Sequence, residues 1–258
     1  MKSDFVTAHG IKTHFRSFGT GKEVLVFLHG WGGTSESFQS LAPHIARQSR
    51  VKVIVPDLPG FGKSENPPAS GWDTRDYEAW LEAFLKMLDI HKAHFYGHSF
   101  GCRVIVRLLL AHPEKALKVI LTGAAGIKWP PSFREKVSLL LSKKCVQCKK
   151  LIPAKLQQLI ISKIFGARDW GSAPEALKPT LKKVLEEADF REDLPRITHP
   201  VLLLWGARDS VTPIKSGRVF EEKLPHATLK IFSNGRHGIH RTHEDKIVKF
   251  VTKFLNEK

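Results

Sequence analysis

Cysteine is scarce in this chain: Cys102, Cys145 and Cys148 are the only three among 258 residues. An odd, sparse set cannot build a disulfide framework, and it points to a reducing compartment. Cys145 and Cys148 have no second Cys pair at zinc-ligand spacing, and on a helix two thiols so placed simply share a face. No metal or other cofactor is expected. Long apolar runs are missing as well, so no segment approaches the length of a membrane span. Met1-Lys2-Ser3-Asp4 leads straight into strand-like sequence without the apolar core of a signal peptide, and a cytoplasmic setting is the expectation.

Acidic residues are outnumbered, 25 Asp and Glu against 41 Lys and Arg, for a formal net charge of +16. Between Lys128 and Lys163, Glu135 is the only acid among Arg134, Lys136, Lys143, Lys144, Lys149, Lys150 and Lys155. Such a field attracts anionic substrates, membrane surfaces or nucleic acid. No nucleic-acid-binding signature accompanies it, and the charge reads as a solvated basic face.

What is present is a 42% hydrophobic chain long enough for one large core, with strands and helices in alternation. Phe5–Ala8 and Ile11–Ser17 read as a leading hairpin. Val24–Leu28, Val51–Val55, Val119–Thr122 and Val201–Trp205 are continuous apolar runs of the kind that fill a parallel sheet covered on both faces. A helix is expected from Ser37 to about Gln48. Another carries Tyr77, Trp80, Leu81, Phe84, Leu85 and Leu88 on one stripe. Thr212-Pro213 looks like a helix N-cap followed by proline at the first helical position. A strand at Thr228–Phe232 and an amphipathic helix through Leu255 end the chain. This alternation specifies an α/β fold with a doubly wound, mostly parallel sheet and helices on both faces. The rhythm breaks from Gly126 to about Pro195 into helical, Lys-rich sequence, so residues 1–125 and 196–258 are expected to form the core and 126–195 a helical insertion.

The centre of the pattern is Gly97-His98-Ser99-Phe100-Gly101, between a short aromatic strand at 93–96 and an apolar helix from Cys102 to Ala111. A sharp strand-to-helix turn there strains Ser99 and holds its hydroxyl out at the top of the sheet, while the flanking glycines avoid clashes. The Phe100 N–H then stands at a helix N-terminus, where the dipole favours a developing oxyanion. His29-Gly30-Trp31-Gly32-Gly33 follows a buried strand and offers a second donor, the N–H of Trp31.

These motifs, with Asp57-Leu58-Pro59-Gly60-Phe61-Gly62-Lys63-Ser64, Trp205-Gly206-Ala207-Arg208-Asp209 and Gly235-Arg236-His237, resemble the signatures of the α/β-hydrolase superfamily in order and separation over nearly the whole chain. The resemblance implies that residues 126–195 are a cap over the active site, with Trp129, Phe133, Phe165 and Trp170 suggesting a partly apolar pocket. It also implies a Ser–acid–His order. Among thirteen histidines, His237 follows the last strand and can reach back to Ser99, with His240 as its main rival. Asp209 closes a buried strand at the same edge, and Gly123-Ala124-Ala125-Gly126, after the preceding strand, contains no acid. His98 is expected to pack beside the elbow and His29 to brace its loop.

A serine at the elbow argues against the haloalkane dehalogenases and epoxide hydrolases of that superfamily, which carry aspartate there. The expectation is a cofactor-independent serine hydrolase of ester-like acyl substrates, with Ser99, His237 and Asp209 catalytic. C–C bond hydrolysis of diketones and a non-catalytic ligand-binding role are the alternatives. Relatives of the C–C type commonly have an aromatic residue just after the catalytic histidine, whereas Gly238-Ile239 follows here.

Overall fold

The computed structural model describes residues 1–130 and 173–257. Its strands form a single sheet in the order β1-β2-β4-β3-β5-β6-β7-β8. They are β1 Lys2–Ala8, β2 Ile11–Phe18, β3 Val24–Leu28, β4 Lys52–Pro56, β5 Ala93–His98, β6 Ala116–Thr122, β7 Val201–Gly206 and β8 Ala227–Phe232. β1 and β2 make the expected hairpin and β2 pairs antiparallel with β4; the remaining pairings are parallel. β1 and β6 begin earlier than their apolar runs suggest, at Lys2 and Ala116, because backbone pairing continues through exposed residues in β1 and through half-buried Leu117 and Lys118 in β6.

The apolar runs are explained by burial on both faces. Val26 and Leu28 of β3 join a core cluster with Trp80, Phe84, Val104 and Leu108, whereas Leu25 and Phe27 join a second cluster with Phe38, Ile45, Val251 and Leu255. Successive residues of a strand point to opposite faces, so one strand supplies both cores. The first cluster is covered by helices α2 Thr74–Met87 and α3 Phe100–Ala111, the second by α1 Leu41–Ser49 and the last helix. In chain order after α3 the described helices are α4 Lys178–Glu186, α5 Ile214–Lys223, α6 Ile239–Thr242 and α7 Glu244–Asn256.

Two local expectations are corrected. The helix expected from Ser37 divides into a 3-10 turn, Ser35–Phe38, and α1. Pro43 has no N–H to donate, so it is tolerated only in a first helical turn, and starting α1 at Leu41 places it there. Thr212 is not a helix cap: the residue flanking α5 is Pro213, with no capping side chain, and the Thr212 hydroxyl is used elsewhere.

Residues 173–195 dock on the core. Leu177, Val184, Phe190 and Leu194 are buried in the same cluster as α2 and α3. Glu187 accepts from Thr74 Oγ1 at 2.6 Å and from Arg103 Nη2 at 2.9 Å, and the guanidinium groups of Arg103 and Arg107 lie 5.2 and 4.8 Å from the Phe190 ring. Phe133, Phe165 and Trp170, the cysteines Cys145 and Cys148, and the basic group Lys143, Lys144, Lys149 and Lys150 lie outside the described residues. No helix among the described residues is long and apolar enough to cross a membrane.

Candidate active site

Ser99 stands between β5 and α3 with φ 50° and ψ −110°. For an L-residue this is a strained conformation costing ~1–3 kcal/mol, and it persists because neighbouring bonds fix it. The Ser99 amide donates to Thr122 O at 3.0 Å, while its carbonyl accepts from Cys102 and Ala125 amides at 3.1 and 3.3 Å. The flanking glycines serve close approach: a Cβ on Gly101 would lie 2.3 Å from Leu28 O, and one on Gly97 would lie 2.8 Å from the Ile105 side chain. The turn is therefore clamped between β3, β6 and the helix it starts.

Asp209 follows β7 and is buried. Its Oδ1 accepts from the amides of Val211 and Thr212 at 2.8 and 2.9 Å. Oδ2 lies 2.8 Å from His237 Nδ1 and accepts from Thr212 Oγ1 at 2.9 Å. A carboxylate oxygen accepts, so the proton is on His237 Nδ1, and Nε2 retains its lone pair as a proton acceptor. Below the pair sits Gly123, at φ +50°, where a Cβ would come within 3.2 Å of both Asp209 Oδ2 and His237 Nδ1. The sequence offers no acid at Gly123; the structure leaves only tight room for a Cβ there, on a backbone that side chains rarely adopt. Sequence reading missed Thr212, whose resemblance to a cap concealed its contact with the carboxylate.

Ser99, His237 and Trp31 line one cleft of about 580 Å³ together with His98, Ser210 and Arg241. Among the described residues no hydrogen bond joins Ser99 to His237. The amides of Trp31 and Phe100, at the loop after β3 and the first residue of α3, have no partner among the turn and loop bonds. The Trp31 ring packs edge-on against Phe61 and Phe100, at 5.0 and 5.5 Å, which fixes the loop beside the elbow.

The other histidines separate by contact. His29 Nδ1 donates to Gly30 O at 2.8 Å and Nε2 accepts from the Leu58 amide at 2.9 Å; burial pulls its pKa down to about 4 and it braces two loops as a neutral ring. His98 has Nδ1 3.2 Å from Thr122 O and its ring 4.7 Å from that of His237, and burial holds it well below the usual histidine range. His240 stands behind His98, rings 4.4 Å apart, buried and with neither ring nitrogen partnered; burial lowers its pKa to about 4. The Asp209 carboxylate meets His237, not its rival.

A second Ser–His–Asp chain shows that such contacts alone do not identify a site. Ser3 Oγ donates to His14 Nε2 at 2.7 Å, and His14 Nδ1 donates to Asp57 Oδ2 at 2.7 Å. Ser3 has ordinary strand backbone and lies outside the cleft. Asp57 is a structural hub: burial raises its carboxyl pKa, but hydrogen bonds from the Lys63 amide, Ser35 and His14 outweigh that and hold it low. Trp129, one of the aromatic residues of the insertion, turns to α5, donating from Nε1 to Ser216 Oγ at 2.8 Å with Lys215 Nζ over its ring. No cluster of three metal-ligating side chains occurs among the described residues.

Comparison with known proteins places the chain. A family model described as alpha/beta hydrolase fold matches residues 23–144. The chain is 25% identical to a 2-hydroxy-6-oxononadienedioate/2-hydroxy-6-oxononatrienedioate hydrolase of Burkholderia vietnamiensis, over 95% of this chain and 91% of that protein. It is 29% identical to a pimeloyl-[acyl-carrier protein] methyl ester esterase of Shewanella woodyi, over 95% and 98%. The fold matches the enol-lactonase from Burkholderia xenovorans with a TM-score of 0.76 at 20% identity, covering 98% of this chain and 100% of that one. The family-model match and the shared sheet lead to one conclusion: this chain has the α/β-hydrolase fold.

Proposed function

We propose that the protein is a serine hydrolase cleaving an ester-like acyl bond of a small, partly apolar substrate, with Ser99, His237 and Asp209 as its catalytic residues. The observation that carries this reading is the 2.8 Å Asp209–His237 contact, which leaves Nε2 of the imidazole basic in a cleft shared with the strained Ser99. Ser99 Oγ attacks the carbonyl carbon and passes its proton to His237 Nε2. The oxyanion is received by the amides of Trp31 and Phe100, each donor of this kind contributing ~10²- to 10³-fold to turnover. Collapse expels the alcohol with the proton from His237, leaving an acyl-Ser99 that water attacks by the same route. Residues 126–195 are proposed as the cap, its returning end anchored by Glu187 to Arg103 and Thr74.

C–C bond hydrolysis of a diketone is the second reading, favoured by the named activity of the Burkholderia vietnamiensis relative. The Shewanella woodyi relative is named as an ester hydrolase, and Gly238 in place of an aromatic residue after His237 also weighs toward esters. A panel of acyl esters and vinylogous diketones, run with wild type and Ser99→Ala, separates the two. Turnover of esters, lost in Ser99→Ala, is expected; activity on diketones alone would replace the first reading with the second, and ester turnover surviving Ser99→Ala would refute it.

A further inference from the structure

The cleft holding Ser99 continues past Gly32 and Gly33 into an adjoining depression, and Ser37, His240 and Arg241 border both. The Arg241 side chain is exposed and makes no ion pair or hydrogen bond among the described residues, although acids stand close by. Those acids are occupied: Glu36 receives Arg16, and Glu244 accepts from Ser40 Oγ at 2.8 Å and meets His44 Nδ1 at 2.9 Å. Among the described residues lining the Ser99 cleft there is no carboxylate, and Arg241 is the one permanently charged side chain. Beside it His240 is only 4% exposed with both ring nitrogens unpartnered. A buried polar ring without partners is destabilised, and a turn of the ring that brings one nitrogen to the cleft would let a ligand oxygen satisfy it.

Resting on the serine-hydrolase reading, we propose that Arg241 and His240 form a carboxylate subsite beside Ser99, so that the enzyme's substrates are esters bearing a carboxylate away from the scissile bond. The forked guanidinium matches a planar carboxylate with two parallel N–H···O bonds, and an imidazole N–H supplies a third. One cation matches one negative charge. A phosphate group, carrying up to two charges, would call for more positive charge than these lining residues provide. The overall +16 charge adds a long-range attraction for any anionic substrate.

The test compares aryl monoesters of glutaric acid with aryl valerates, which share the acyl chain length but differ in the terminal carboxylate. Wild type is expected to favour the glutarate ester in kcat/KM through a lower KM, with the preference shrinking as NaCl is raised. Arg241→Gln is expected to reduce the glutarate-to-valerate preference at least tenfold, His240→Phe to reduce it less, and Arg241→Lys to restore part of it. No preference in wild type, or equal losses on both esters in Arg241→Gln, would overturn the subsite. Calorimetry of Ser99→Ala protein with monomethyl glutarate separates the two claims. Arg241-dependent binding without turnover in wild type supports the subsite and overturns the serine-hydrolase reading, whereas Ser99-dependent valerate turnover without discrimination does the reverse.

Discussion

The Asp209 carboxylate uses one oxygen for two backbone amides and the other for the Thr212 hydroxyl and His237 Nδ1, so every neighbour fixes the plane in which the imidazole stands. Thr212→Val keeps the shape and removes the hydroxyl. Under the proposed mechanism its loss is expected to lower kcat by roughly 5- to 30-fold, the equivalent of ~1–2 kcal/mol, with Thr212→Ser restoring most of it. A kcat effect without a comparable change in KM marks positioning of the acid, and an unchanged kcat in Thr212→Val would show that Thr212 does not position it. Gly123→Ala puts a Cβ at φ +50° and within 3.2 Å of the Asp209–His237 contact. Expected are a stability loss of about 1 kcal/mol from the backbone and a fall in turnover beyond what that loss explains. Denaturation and initial rates measured together check both.

At the scale of elements, α3 has two tasks. Its first residue begins the turn of Ser99, and its inner face carries Arg103, which reaches Glu187 across 84 residues of sequence. Arg103 is 7% exposed, so removing its acid leaves an uncompensated buried charge. Glu187→Ala is expected to cost about 3 kcal/mol, a fall of roughly 6–12 °C in Tm for a chain of this size. A thermal scan in which the variant matches wild type would show that this pair does not anchor residues 173–195. The elements also show what is legible in sequence. Runs such as Val201–Trp205 identify themselves because both faces of the sheet are covered, and the stripe from Tyr77 to Leu85 identifies α2 because only one of its faces is. The break before α1 follows from the chemistry of Pro43 but is hidden in sequence because Phe38, Leu41 and Ile45 keep helix-like spacing across it. Thr212 misled because a Thr-Pro pair satisfies local capping rules, whereas its hydroxyl stands 2.9 Å from Asp209 Oδ2 and 3.0 Å from Gly123 O, acceptors that the capping pattern does not include. No local signal announces Asp57 with His14, or Arg103 with Glu187, since each pair is made only when distant strands and helices assemble.

For the molecule as a whole, parallel order explains why the candidate site could be located from one dimension. In a parallel sheet the carboxyl ends of β3, β5, β7 and β8 share an edge, so the loops after them bring Trp31, Ser99, Asp209 and His237 together. The direction in which the substrate's charged or apolar parts lie is not encoded in those motifs, and it depends on residues such as Arg241 that no motif includes. The whole fold also carries an acid liability. His29 and His240 are buried neutral with pKa values near 4, against 6.5 when exposed, so the unfolded chain binds more protons than the native one between these values. Their depressed values favour folding fully above about pH 6.5, and the benefit falls as pH drops toward 4. At pH 5 the loss is about 2 kcal/mol per imidazole. Urea midpoints should therefore decline between pH 7 and pH 5; midpoints that hold constant would contradict the burial of two neutral rings.

The central claim, that Ser99 is a nucleophile activated by His237, is tested most directly by reacting the folded protein with a fluorophosphonate probe and locating the adduct by peptide mass mapping. The account predicts a single adduct on Ser99, absent in Ser99→Ala and strongly slowed in His237→Ala. Folded wild-type protein that remains unlabelled, or that carries the adduct on Ser3 rather than Ser99, would contradict it.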